Sequence, residues 1–224
     1  MTNTAADWRT YNKWNRRDER MAELWVRGLV ARLRDWPGLG AQHAVLDYGC
    51  GYFDVGLAIA DRVGRVDGFD IDERTVDVAR GRCTSHITSD RTELPVATYD
   101  LIVANSVFQY LGNEADVFET LKLFRSLLRP GGRGEVLLGD LIPPTYSSVK
   151  DAFRSLRVAL ANGMLLSMTA HLWKAAIKGN GLKLLQISPE RIATLSAEAG
   201  FDCERLAVNV TPSRQRYSCV LRMR

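Results

Sequence analysis

The stretch Val45-Leu46-Asp47-Tyr48-Gly49-Cys50-Gly51-Tyr52-Phe53-Asp54 constrains this chain more than any other. A short apolar run closes on an acid, two glycines follow one residue apart, and Val55-Gly56-Leu57-Ala58-Ile59-Ala60 resumes an apolar pattern. That order predicts a strand, a tight turn and a helix start, the arrangement at the mouth of a nucleotide-type cofactor site. Glycine suits such a turn because it accepts positive φ and lets a ligand approach the main chain. A lone Gly-x-Gly is more often an ordinary turn, so the stretch needs support from the rest of the sequence.

The support comes from acids at the ends of later apolar runs. Arg65-Val66-Asp67-Gly68-Phe69-Asp70-Ile71-Asp72 reads as a second strand, and Asp70 stands nineteen residues after Gly51. A carboxylate about 20 residues past the glycine turn is placed to accept hydrogen bonds from ribose hydroxyls. A helix over 73–82 leads to Ser85-His86-Ile87-Thr88, closed by Ser89-Asp90, and an acid there is placed to accept from an adenine amino group. Three acids at three strand ends, Asp47, Asp70 and Asp90, do not suit solvated loop charges. The run Tyr99 to Asn105 predicts a fourth strand, apolar enough to be covered on both faces. An amphipathic helix over 114–128 and the turn Arg129-Pro130-Gly131-Gly132 precede a fifth strand over 134–138, ending in Gly139-Asp140. A helix from Ser188 to Gly200 and strands over 201–208 and 216–221 complete the pattern. The expected fold is α/β: a doubly wound, mostly parallel seven-stranded sheet with an antiparallel edge hairpin. Its ligands belong beyond the carboxyl ends of the strands, where Asn105 and Asp140 should face the crevice.

With 224 residues, 46% of them hydrophobic, the chain suits one sizeable core, and residues 1–224 are read as one domain. Residues 1–40 form an N-terminal helical arm, closed by Trp36-Pro37-Gly38-Leu39-Gly40, in which Trp8, Tyr11 and Trp14 either line a substrate entrance or pack in the core. Residues 143–185 carry Met and Leu at helical spacing and read as an inserted helical lid over the crevice, with simple packing as the other reading. The four cysteines are scattered without metal-ligand spacing, which points to reduced thiols and no bound metal. No apolar run approaches the roughly 20 residues of a membrane-spanning helix, and no signal-peptide centre is found, so a soluble cytoplasmic protein is expected. The net charge of +4 is spread over interleaved groups such as Arg16-Arg17-Asp18-Glu19-Arg20 and a basic tail including Arg214, Arg216 and Arg222. These read as solvated surface before they read as a phosphate-binding stripe.

A dinucleotide fingerprint has glycine where Asp54 stands, and a carboxylate at that helix N-terminus would repel a pyrophosphate. A cofactor with ribose, adenine and a cationic remainder fits better. With these residues assembled, the chain resembles the class I S-adenosylmethionine-dependent methyltransferases over about 45–140 and 188–221. Asp47-Tyr48-Gly49-Cys50-Gly51 is similar to the family's first motif, Asp70 to its ribose acid, Asp90 to its adenine-side acid, and Arg129-Pro130-Gly131-Gly132 to the turn before its fifth strand. The resemblance implies S-adenosylmethionine as cofactor, with Asp47 pairing its ammonium, and Gly49, Gly51, Tyr52, Ile71, Arg91, Asn105 and Tyr11 as further cofactor contacts. One departure stands out: Phe53 replaces the family's usual third glycine, which is expected to narrow the space beside the methionine moiety or alter the hold on the cofactor.

The segment after the fourth strand, Asn105-Ser106-Val107-Phe108, lacks the Asn/Asp-Pro-Pro-Tyr sequence of base-amine methylation, and no cysteine is set up as a nucleophile, so nucleic-acid bases are not the expected acceptors. Short pieces around 106–111 and 138–143 are similar to bacterial methyltransferases of sugar and surface-glycan pathways. The resemblance thus implies O-methylation of a sugar, glycan or other hydroxylated small molecule, with Asp140 or His171 as general base and Gln109, Tyr110 and Trp14 on the substrate side. The other reading has Asp140 only hydrogen-bonding the substrate and His171 as a structural residue. A non-enzymatic adenosylmethionine-binding protein and an RNA-ribose or protein methyltransferase are the rival functions. The sequence does not speak to oligomeric state.

Overall fold

The computed structural model of the protein describes residues 19–131, 134–147, 151, 156–157, 160–161, 163 and 184–224. In chain order these form α1 (Glu19–Arg34), β1 (Ala44–Tyr48), α2 (Asp54–Ile59), β2 (Arg65–Phe69), α3 (Glu73–Arg80), β3 (Ile87–Thr88), β4 (Leu101–Asn105), α4 (Glu114–Leu127), β5 (Glu135–Leu141), α5 (Pro189–Glu198), β6 (Phe201–Arg205) and β7 (Tyr217–Met223). The arm before residue 19 and most of the 143–185 insertion lie outside the described residues, and with them Trp8, Tyr11, Trp14 and His171.

The strands form one seven-stranded sheet in the order β3-β2-β1-β4-β5-β7-β6. From β3 to β5 every pairing is parallel, and β7 runs antiparallel to both β5 and β6. This is the expected doubly wound sheet, with β7 turned back into the space between β5 and β6. Strand order reverses between β1 and β4, which opens a crevice at their carboxyl ends.

Alternation along each strand builds two cores. In β4, Ile102 and Ala104 join Leu46, Tyr48, Val136 and Leu138 against Val117, Leu121 and Phe124 of α4 and Ile192 and Leu195 of α5. Leu101 and Val103 point the other way, joining Val45, Val66 and Leu137 against Leu29 and Leu33 of α1, Val55 and Ile59 of α2, and Val76 and Ala79 of α3. Two helices start where the sequence supplies a cap: Asn113 Oδ1 accepts from the amide of Asp116, and Ser188 Oγ accepts from the amide of Arg191 with Pro189 following it.

Two arginines in the last turn of α1, Arg32 and Arg34, serve docking rather than a free basic stripe. Arg34 binds the Ala58 carbonyl and pairs with Asp61 at 2.8 Å, and the Arg32 guanidinium lies over the Trp36 ring. Trp36 Nε1 donates to Glu135 Oε2 at 2.7 Å, which ties the end of the arm to the start of β5.

β5 runs further than its apolar run suggested, through Leu141 rather than Leu138. The pairing with β7 shifts between Leu138 and Leu141, and Asp140 in that irregularity has φ of 65°. A bulge re-aims the side chain it carries, here at the mouth of the crevice.

Candidate active site

The loop after β1 takes left-handed backbone at three alternate positions: Gly49 at φ 79°, Gly51 at 52° and Phe53 at 65°. The amides of Gly49 and Cys50 both donate to the Phe69 carbonyl, at 2.7 and 2.9 Å, so the turn is anchored on the end of β2. Gly49 has a second reason to be glycine, since a Cβ there would meet Val107 Cγ2 at 2.3 Å. A Cβ on Gly51 would meet nothing within 4 Å, which leaves the main chain open to a ligand at that point.

Phe53 does not narrow the crevice. Its side chain is fully buried in the core under α2, in space that two other glycines leave free: a Cβ on Gly56 would lie 2.2 Å from the ring, and one on Gly68 would lie 3.0 Å from it. The backbone keeps the left-handed conformation suited to the family's glycine, while the ring points away from the ligand side. Asp54 also needs correcting as a bare charge, because Arg82 pairs with it at 2.6 Å and also holds the Tyr52 carbonyl. Its case against a pyrophosphate is weaker for that.

The acids of the first three strands are disposed differently from one another. Asp47 is buried, with Oδ2 accepting from the Gly56 amide at 3.3 Å. Burial pushes its pKa up to about 7; that amide works against the rise, and the charges of Asp70 and Asp54 add to it. Asp70 accepts from the Gly51 amide at 2.9 Å and the Asp72 amide at 3.0 Å, which fixes its carboxylate beside the glycine turn. Burial raises its pKa, and those two amides oppose the shift. Asp90 is exposed and caps the turn over 91–93, its Oδ1 accepting from Thr92 N and Oγ1 at 2.8 Å each; those bonds lower its pKa. Ile71 is partly exposed, and the Arg91 guanidinium lies 5.5 Å from the Phe69 ring and 5.8 Å from that of Tyr48.

Beyond β4, the Asn105 side chain covers Gly139, and its buried Oδ1 has no hydrogen-bond donor among the described residues. Ser106 is left-handed at φ 58°, and its Oγ donates to Asp140 Oδ2 at 2.8 Å. Asp140 is buried and fully engaged: Oδ2 also accepts from Arg216 at 2.6 Å, while Oδ1 accepts from Asn209 at 3.1 Å and from Thr211. Burial favours its neutral form, yet the Arg216 charge and the three polar donors outweigh burial and hold its pKa below the usual carboxylate range. A carboxylate so placed accepts four hydrogen bonds and resists taking a proton. Gln109 is buried and Tyr110 half-buried on the turn over 108–110.

The structure therefore brings Asp47, Gly49, Gly51 and Asp70 together at the β1 and β2 ends, with Ile71, Asp90 and Arg91 beyond them. Asn105, Gln109, Tyr110 and Asp140 gather at the β4 and β5 ends. Sequence reasoning missed Arg216, read as part of a basic tail, together with Tyr146, Asp151, Asn209 and Thr211. No local signal marks them, since the bonds that join them to Asp140 and Arg216 span 65 to 76 residues.

The residues present fit a nucleoside carrying a cationic tail. The Asn105 oxygen lacks a donor, Asp47 is a buried acid without a cationic partner in its hydrogen bonding, and Gly51 leaves room at the main chain. A ligand ammonium supplies both a donor and a countercharge. Fold and crevice thus define a Rossmann-like α/β protein built for an adenosine cofactor with a positive charge.

Comparison with known proteins sharpens this. Residues 45–132 match a methyltransferase domain family. A malonyl-[acyl-carrier protein] O-methyltransferase of Halalkalibacterium halodurans is 30% identical over 156 residues, covering 64% of this chain and 55% of the relative. A trans-aconitate 2-methyltransferase of Rhizobium rhizogenes is 37% identical over 116 residues, covering 49% of this chain and 44% of the relative. The chain thus spans about half the length of these relatives. Among solved structures, the S-adenosylmethionine-bound amino pentose methyltransferase of Micromonospora echinaspora superposes with a TM-score of 0.65 at 14% identity, over 92% of this chain and 94% of that one. The magnesium protoporphyrin IX methyltransferase of Synechocystis with bound S-adenosylhomocysteine gives 0.59 at 20% identity, over 97% and 92%. The matched methyltransferase domain, the methyltransferase relatives and the cofactor-bound neighbours of like fold together support a class I S-adenosylmethionine-dependent methyltransferase, with S-adenosylmethionine as the cofactor of that class.

Proposed function

We propose that this protein transfers the methyl group of S-adenosylmethionine to an oxygen of a small-molecule acceptor, in the cytoplasm and as a single domain. The observation that carries the reading is the division of the crevice: open glycine backbone with Asp47 and Asp70 on one side, and a built polar network around Gln109 and Asp140 on the other. When bound, the cofactor supplies an electrophilic methyl group on a sulfonium. Asp47 and Asn105 hold its ammonium, Asp70 its ribose hydroxyls, and Asp90, Ile71 and Arg91 flank its adenine. Methyl transfer is an in-line displacement, so the acceptor half contributes mainly by positioning. Among the described residues, no helix is long and apolar enough to cross a membrane.

The sequence points to a hydroxyl of a sugar, glycan or natural-product intermediate. A hydroxyl must lose its proton, and Asp140, held ionised with its lone pairs filled, is better suited to anchoring than to base catalysis; His171 is then the candidate base. A carboxylate acceptor needs no base. That second reading is favoured by the state of Asp140 and by the names of the relatives, which methylate malonyl-acyl-carrier protein and trans-aconitate.

The test is incubation with methyl-labelled cofactor and trial acceptors: trans-aconitate, a malonyl thioester, sugars and fractionated extracts. Label released as methanol by mild alkali marks an ester, and alkali-stable label an ether. The small-molecule reading is lost if label enters only RNA or protein. Failure of S-adenosylhomocysteine to bind by calorimetry would instead favour a non-enzymatic partner protein.

A further inference from the structure

The polar network on the acceptor side is more extensive than a strand end requires. From its place just before β7, Arg216 donates through Nη1 to Asp140 at 2.6 Å and to Gln109 Oε1 at 3.4 Å. Through Nη2 it donates to Asp151 at 3.2 Å and to the Tyr146 hydroxyl at 3.4 Å, with its guanidinium 5.3 Å from the centre of the Tyr146 ring. Tyr146 and Ser213 in turn donate to Asp151, at 3.0 and 2.7 Å, and the Gln215 amide brackets the Ser147 backbone. One side chain therefore gathers the turn after β4, the end of β5, the segment that follows β5 and the β6–β7 connection. Burying a guanidinium between two carboxylates carries a desolvation cost that tends to offset their attraction, so stability alone is a weak reason for the arrangement.

The chemistry of the donors adds a directional consequence. A guanidinium can only donate, so Gln109 must turn its oxygen towards Arg216 and its NH2 group the other way. Strand order separates this network, on β4, β5 and β7, from the cofactor acids on β1 to β3. Resting on the methyl-transfer reading above, we propose that Arg216 is a positioning residue of the acceptor half: it fixes Gln109 as a hydrogen-bond donor to an oxygen of the acceptor and holds Tyr146 and Asp151 against the strand ends. The charge of Arg216 is balanced by Asp140 and Asp151 through its two terminal nitrogens, and its buried Nε has no acceptor among the described residues.

Gln109→Glu and Arg216→Lys separate this role from a purely structural one. A carboxylate in place of the Gln109 amide can still accept from Arg216 but has no NH2 group to offer. In Gln109→Glu, a third acid beside one guanidinium is expected to lower thermal stability, while S-adenosylhomocysteine affinity stays within about twofold and KM for whichever trial acceptor takes the label rises about tenfold or more, with a smaller change in kcat. An unchanged KM would overturn the donor role. In Arg216→Lys the ammonium cannot fork to Gln109 and both acids. The Gln109 side-chain amide signals in a proton–nitrogen correlation spectrum, identified by their loss in Gln109→Glu, should move towards free-glutamine positions in Arg216→Lys; signals left in place would overturn the positioning role. The spectrum needs no acceptor, so it decides the role of Arg216 even if no trial acceptor is methylated, the outcome that would count against the methyl-transfer reading instead.

Discussion

Restoring the family's glycine at position 53 is expected to weaken this protein. In Phe53→Gly the left-handed backbone at φ 65° becomes free of its Cβ penalty, a gain of about 1–2 kcal/mol. The ring, however, is fully buried, and it fills space bounded by Gly56, Gly68 and Cys50. Truncating a buried phenylalanine costs about 3–5 kcal/mol through lost transfer energy and the cavity left behind. The net loss is about 1–4 kcal/mol, or roughly 2–16 °C in Tm for a chain of this size. Gly56→Ala supplies the partner mutation. In the wild-type background the new methyl would lie 2.2 Å from the Phe53 ring, and overpacking of that kind costs about 1–3 kcal/mol. In the Phe53→Gly background it enters the cavity, and alanine is about 1 kcal/mol better than glycine within a helix. Urea denaturation of the four proteins should therefore show Gly56→Ala changing sign between backgrounds. S-Adenosylhomocysteine affinity in Phe53→Gly should stay within about threefold, because the ring points away from the ligand side. The reasoning fails if Phe53→Gly is as stable as wild type, or if Gly56→Ala has the same effect in both backgrounds.

Further outcomes are expected at three other places. With Asp47 near pKa 7, about half of it is ionised at pH 7 and about one part in eleven at pH 6, so S-adenosylhomocysteine should bind about fivefold more weakly at pH 6 while methylthioadenosine, which lacks the ammonium, loses less; Asp47→Asn should remove the difference in calorimetry. The same raised pKa means that the unliganded protein holds the Asp47 contribution fully below about pH 4 and loses it as pH rises through about 7, a slope visible in denaturation midpoints and flattened by Asp47→Asn. Gly49→Ala should abolish S-adenosylhomocysteine binding, since its Cβ meets Val107 and its φ of 79° disfavours alanine; Val107→Ala relieves only the first problem, so the double variant should recover little. Tyr99→Phe removes the 2.8 Å bond to buried Asp67, leaving that acid to Arg65, and should cost about 1–3 kcal/mol by urea denaturation without touching cofactor affinity.

The sheet and the cofactor half were legible because their signals are local. A glycine turn, an acid nineteen residues on and apolar runs of strand length can each be read in a short window, and the parallel order follows from strands alternating with helices. Phe53 could not be read that way. The glycines that make room for its ring stand on α2 and β2, and only the fold brings Gly68 beneath it. Asp54 likewise looked like an open charge because Arg82 lies 28 residues away. Arg216 was hidden most thoroughly. It stands in a basic tail by composition, yet its bonds reach back 65, 76 and 107 residues to Asp151, Asp140 and Gln109. Spacing carries no information about such partners; the antiparallel return of β7 beside β5 is what brings them together.

The two halves of the crevice also differ in how far they are finished without ligand. Ser106 and Asp140 both hold left-handed backbone at adjacent strand ends, a conformation that costs of order 1–3 kcal/mol at each non-glycine residue. They are joined to each other, and Asp140 takes three further donors, so the surrounding bonds over-determine the strained geometry. The acceptor half is thus preorganised whether or not cofactor is present. On the cofactor half, Asp47 carries a burial penalty that one long amide bond only partly offsets, and the Asn105 oxygen has no donor among the described residues. Those deficits are relieved by a ligand that brings an ammonium. On the proposed reading, the amino-acid tail of the cofactor is expected to bind where Asp47 and the Asn105 oxygen lack partners, and the acceptor to meet a surface whose shape does not depend on the cofactor having arrived first.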